Sequence, residues 1–94
     1  MRTLDRVIVG RVDSTGAVVA GDGFTVRKIA TGQYTVTLTS GVRLVAAVAS
    51  ANVVAGGWMQ TGAHTEKSFN VYSFTAANVA GDQYFTFIAA GYAQ

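Results

Sequence analysis

The sequence contains no cysteine. A disulfide framework and a thiolate metal site are therefore excluded, and the redox compartment is left undetermined. Proline is also absent, which rules out a stiff Pro-rich spacer and argues against a disordered linker. Charge is scarce: 13% of residues are Asp, Glu, Lys or Arg, about half the ~25% of an average domain. No apolar run reaches the ~18 residues that a membrane-spanning helix requires; the longest candidate, 42–57, is interrupted by Arg43 and Asn52. The opening MRTLDRVIVG is too short and too charged for a secretory signal. A complete chain made in the cytoplasm, without a leader or membrane partner, is expected.

Apolar side chains are abundant, at half of the 94 residues. One domain spanning 1–94 is expected. A folded chain of 9.8 kDa has a surface of roughly 5,200 Å² and buries only about 60–68% of what its unfolded form exposes. A core of that size cannot hide so many apolar residues, and apolar surface left outside marks an interface. The net charge is +2, with six of the seven basic residues and three of the five acids in the first 47 positions. Arg2, Arg6 and Arg11 fall close together at the start. Either residues 1–6 form a basic arm that grips an acidic surface, or these are ordinary solvated arginines. No basic face is interleaved with aromatics, and so small an excess of charge would release few counterions, so nucleic acid is not an expected partner.

Eleven glycines punctuate short runs rich in β-branched residues. Val7–Val12 reads as a strand ending at the turn Asp13-Ser14-Thr15-Gly16, after which Ala17-Val18-Val19 resumes. Following a turn at 21–23, Phe24 and Val26 face one side, and Ala30-Thr31-Gly32 forms a hairpin loop with Gly32 suited to a left-handed conformation. In Gln33–Thr39, Tyr34, Val36 and Leu38 alternate with threonines, the pattern of a half-buried antiparallel strand. Residues 42–51 read as helix by alanine content. No N-cap with a following carboxylate precedes them, so a strand is expected, with Leu44, Ala46 and Val48 on one face. Small residues on both faces suggest a central strand. Residues 52–57 are expected as a loop or bulged edge. Further strands are expected near Trp58, over Ser68–Thr75 and over Gln83–Ala90, with 76–82 as a connection. These later strands carry aromatics on both faces, which singles out Tyr72, Phe74, Phe85 and Phe87 as subunit-interface candidates. A two-layer sandwich needs only one apolar face per sheet, and self-association is the simplest way to cover a second. The similarity of Ala20–Val26 to Ala80–Phe87 is read as shared hairpin grammar.

Little points to chemistry. His64 and Glu66 share a face but have no third ligand nearby, and a metal site needs three or four. No G-x-S-x-G elbow and no phosphate-binding G-x-x-x-x-G-K-[ST] occur. Asp13, Asp22 and Asp82 sit where turn aspartates bond neighbouring N–H groups. No metal, cofactor or enzymatic activity is expected. Trp58, Tyr72, Tyr84 and Tyr92 are open to two readings: core or interface aromatics, or rings that stack on sugars.

The run GFTVRKIATGQYTVTL (Gly23–Leu38), followed about 46 residues later by YFTFIAAG (Tyr84–Gly91), resembles small β-sandwich modules of tailed-phage virions. Such modules occur in capsid decoration (cement) proteins and at tail-fibre tips. Their first hairpin has the pattern G-F-(S/T)-V-x-R-x-G-T-G-x-Y-x-V-x-F and their last strand F-x-F-x-x-x-G. Leu38 departs from it where an aromatic is usual, as do Ile29-Ala30 in place of glycine. The resemblance implies an all-β, jelly-roll-like antiparallel sandwich of about seven or eight short strands, assembled as a homotrimer. The strand pattern starts by Val7 and no repetitive shaft is present, so the resemblance implies a decoration protein on the capsid surface. It would clamp neighbouring major capsid subunits, with Arg2, Arg6 and Arg11 at the capsid contact. The alternative is a fibre tip that recognises host glycan through Trp58 and Tyr92.

Overall fold

The computed structural model describes residues 5–39, 41–51 and 57–93. Eight strands and, among the described residues, no helix make up two antiparallel four-stranded sheets. The strands are β1 (Arg6–Val12), β2 (Val18–Gly21), β3 (Phe24–Ala30), β4 (Gln33–Leu38), β5 (Val42–Ala51), β6 (Trp58–Gly62), β7 (Ser68–Phe74) and β8 (Phe85–Ala93). Sheet A has the order β2-β1-β8-β5 and sheet B the order β3-β4-β7-β6. Three sequential hairpins, β1–β2, β3–β4 and β6–β7, each stay within one sheet. The long-range pairings β1–β8, β4–β7 and β5–β8 join them.

Period-two alternation sorts the side chains. Tyr34, Val36 and Leu38 of β4, Phe69 and Val71 of β7, and Phe85, Phe87 and Ala89 of β8 fill one core with Val12 and Phe24. Edge-on aromatic contacts bind the sheets together: Phe87 meets Phe24 at 4.8 Å and Phe69 at 5.5 Å between ring centroids. The buried Tyr34 hydroxyl donates to the Ser14 carbonyl at 2.8 Å. Burial first, and then the charge of Asp82, raise its pKa to about 12. Along one side the sheets are tied by Thr61 of β6, whose hydroxyl donates to the Ala47 carbonyl of β5 at 2.9 Å.

The turns behave as their residues dictate. Asp13 Oδ1 accepts from the Thr15 amide, the Thr15 hydroxyl and the Ala17 amide, and these bonds, led by the Thr15 hydroxyl, lower its pKa. Gly32 has φ 69°, and a Cβ there would lie 2.6 Å from the Ser73 carbonyl oxygen. The hairpin tip is thus packed under the 75–83 connection. Asp82 locks it, accepting from the Gly32 amide at 2.7 Å and pairing with Lys28. The Lys28 bond, then the Gly32 bond, depress the pKa of Asp82. Asp22, by contrast, accepts from its neighbour Gly23, so the two similar AGD segments do different work.

Residues 42–51 form a strand, but with different faces and a different place from those expected. A β-bulge lies between Leu44 and Ala46. Leu44 pairs with Gly91 and Ala46 with Ala90, so Val45 is the additional residue. Val42 and Leu44 point inward before the bulge; Ala47, and more partially Ala49 and Ala51, do so after it, while Ala46 and Val48 are exposed. β5 is an edge strand of sheet A, not a central one. The expected loop over 52–57 lies outside the described residues except for Gly57.

Candidate assembly surface

The outward faces of the two sheets differ in chemistry. On sheet A the register aligns Val9 of β1, Ile88 of β8 and Val48 of β5 in one row, and Val7, Ala90 and Ala46 in the next. Val7 is 69% exposed, Val48 65%, Val9 53% and Ile88 52%. The row beyond turns polar, with Arg11, Thr86 and Ser50. Ile88 stands as a ridge: one shallow groove runs beside it along Val9, Arg11 and Ala20, and others along Val48, Ser50, Ala46 and Ala90. No charge interrupts the two apolar rows. The face exists because β1 and β8 obey strict alternation while the Val45 bulge shifts β5 into phase with them. The chain's total surface, 5269 Å², is that of an ordinary compact chain of this mass, about 5,200 Å². Among the described residues, four of the ten exposed large hydrophobic side chains, Val7, Val9, Val48 and Ile88, lie together in these two rows.

On sheet B the outward side chains are Thr25 and Arg27 of β3, Gln33, Thr35 and Thr37 of β4, Asn70, Tyr72 and Phe74 of β7, and Trp58 and Gln60 of β6. This face is polar, with aromatics at one end.

The expected site residues scatter over these surfaces. Phe85 and Phe87 are 0% and 2% exposed. They belong to the core of the chain itself, and an interface reading of them is corrected on that ground. Tyr72 and Phe74 do face outward, half-buried, on sheet B. Arg2 lies outside the described residues. Arg6 and Arg11 are five positions apart on one strand, an odd spacing that sends them to opposite faces about 17 Å apart along it. They form no cluster: Arg11 joins the rim of the sheet A face, while Arg6 Nη1 donates to the Asp5 carbonyl. The end of the proposed arm, 5–6, is tied to β8, with the Asp5 amide donating to the Gly91 carbonyl and its carboxylate accepting from the Ala93 amide. Trp58 and Tyr92 lie on sheets B and A respectively, so they cannot line one glycan site. Among the described residues no three His, Cys, Asp or Glu side chains gather; His64 is exposed with its ring 6.1 Å from that of Phe69.

The residues that make the sheet A face, Val7, Val9, Val48 and Ile88, were not among the expected site residues. Half of the signal was present, since Val7, Val9 and Arg11 share a parity on one strand. The other half depends on a long-range register and a bulge that no local pattern announces. No family model matches the chain, and comparison with curated proteins and with solved structures returned no match.

Proposed function

We propose that this chain is a non-enzymatic assembly module that self-associates through the outer face of sheet A. The observation that carries this reading is the uninterrupted pair of apolar rows across β1, β8 and β5. A face this apolar on a chain this small favours burial against another protein surface. The setting comes from the resemblance to phage virion modules, which rests on Gly23–Leu38 and Tyr84–Gly91 alone. On that reading the module is a homotrimeric capsid decoration protein, bound to the major capsid protein at the virion surface, with Arg11 on the rim of its contact. Attachment would stabilise the shell by mass action, because the clamp binds only assembled subunits. Two measurements test the proposal at its two levels. Sedimentation of the purified chain reports self-association. Shells prepared with and without it report the clamp; equal resistance to heat and osmotic shock would remove the decoration reading.

A further inference from the structure

The outer face of sheet B carries a second arrangement, independent of self-association. Three rows lie on β4, β7 and β6, the first on β7 and β6 alone. The first pairs Phe74 with Trp58, the second aligns Gln33, Tyr72 and Gln60, and the third aligns Thr35, Asn70 and Gly62. Successive rows on one face are about 6.8 Å apart, so the set spans the length of a short oligosaccharide. The aromatic rings are held in place. Trp58 and Phe74 stack with centroids 4.0 Å apart and planes at 16°. The Trp58 indole N–H donates to Asn78 Oδ1 at 3.0 Å, and Asn78 is held at φ 64° in a turn closed by hydrogen bonds between Thr75 and both Val79 and Asn78. The Tyr72 ring leans across Gly62, where a Cβ would sit 3.1 Å from it. Its hydroxyl accepts from Asn70 Nδ2 at 3.2 Å, and Asn70 Oδ1 accepts from Thr35 Oγ1 at 2.8 Å. That relay fixes the donor and acceptor ends of Asn70 and uses the Tyr72 oxygen as an acceptor, so its O–H is not needed as a donor there.

We infer that this face is a saccharide-binding platform centred on Tyr72. A sugar ring is apolar on its C–H faces and ringed by hydroxyls that both donate and accept. The rows offer the complement: aromatic surface at Tyr72, Phe74 and Trp58, flanked by the amides of Gln33 and Gln60, which do both. Arg27, beside Thr35 in the register, adds a cationic donor at one end. The hydrogen-bonded rings are already ordered, so little side-chain entropy is lost when a ligand settles on them. The site lies on the opposite sheet from the proposed assembly surface, so both can be occupied together.

The chain has one tryptophan, and it lies in the platform, so its fluorescence reports occupancy. The purified full chain is applied to a glycan array, and the soluble form of the best-retained glycan is then titrated while Trp58 emission is followed. The expected result is retention of at least one glycan class and a saturable emission change. Tyr72→Ala and Gln60→Ala should each weaken binding about tenfold, whereas Val18→Ser, on the edge strand of the opposite sheet and outside its apolar rows, should not. Gln60 is an exposed side chain on an edge strand, so its variant tests the site even if Tyr72→Ala fails to fold. An array with no retained glycan overturns the inference, as does binding that survives Gln60→Ala and Tyr72→Ala unchanged. Neither outcome bears on self-association, which sedimentation measures separately.

Discussion

Replacing Ile88 by lysine should dissociate the assembly while leaving the chain folded. Ile88 lies at the centre of the apolar row, half exposed, between Val9 and Val48. Burying a valine or isoleucine side chain completely is worth about 1.5–3 kcal/mol. Roughly half of that remains to be gained at each of Val7, Val9, Val48 and Ile88, so about 1 kcal/mol per side chain and about 4 kcal/mol per copy. Two contacting copies then gain about 8 kcal/mol, similar in size to the ~4–15 kcal/mol lost in translational and rotational freedom. Association on such terms is sensitive to one side chain. A lysine at 88 removes about 1 kcal/mol of the gain and places an ammonium where its desolvation costs several kcal/mol. A net loss of about 3 kcal/mol weakens association more than about a hundredfold. Sedimentation equilibrium from micromolar to millimolar concentration measures this, with far-UV circular dichroism showing that the sheets persist. Two results would refute the reasoning: a wild-type chain that remains a 9.8 kDa monomer at the highest concentration, or an Ile88→Lys chain that sediments as the wild type does.

The pKa shifts give two further expectations with opposite signs. Tyr34 is raised to about 12 in the folded chain, so its stabilisation is fully present below the unfolded value near 10 and is lost as pH rises towards 12. Spectrophotometric titration should show one of the four tyrosines ionising late, together with alkaline unfolding, and Tyr34→Phe should lack the late step. Asp82 is depressed below its ordinary value of 3.8, so its contribution is present above that pH and is lost as pH falls through the folded value. Asp82→Asn should lower stability by about 0.5–1 kcal/mol at neutral pH, and the deficit should vanish in acid; urea melts at several pH values would reveal a pH-independent effect if the lock is not electrostatic.

Much of the architecture was legible because alternation was clean wherever one face is buried. Tyr34, Val36 and Leu38 announce β4, and Gly32 after Ala30-Thr31 announces its hairpin. The helix reading of 42–51 fails on the lack of a cap. Placement in space was less legible. Phe85 and Phe87 look like surplus aromatics along their strand, but β8 is central, and its inward side fills the core. Trp58 and Tyr92 are both aromatic, yet nothing local says they belong to different sheets. The separation of Arg6 from Arg11, by contrast, follows from their odd spacing and needed only the strand period. The sheet B platform was half visible in Tyr72 and Trp58; its amides, Gln33 and Gln60, join only through the β4–β7–β6 register.

The bulge at Val45 ties the fold to the proposed function, and a double-mutant cycle can isolate it. The bulge draws the chain so close to β8 that a Cβ on Gly91 would lie 2.0 Å from the Arg43 carbonyl oxygen. Backbone cannot move aside cheaply, so Gly91→Ala should destabilise by about 3 kcal/mol, as overpacking of a tight site does. Deleting Val45 removes the additional residue. Leu44 then precedes Ala46 in simple alternation, which keeps Ala46 and Val48 outward and Ala47 inward, the arrangement the bulge already gives. The deletion should therefore preserve the apolar rows and self-association, and relax the crowding at Gly91. In the deletion background Gly91→Ala should lose less than half as much stability, an interaction energy above about 1 kcal/mol, within the range of directly coupled sites. Denaturant melts of the four proteins measure it. If the two changes are additive, the close approach at Gly91 does not come from the bulge.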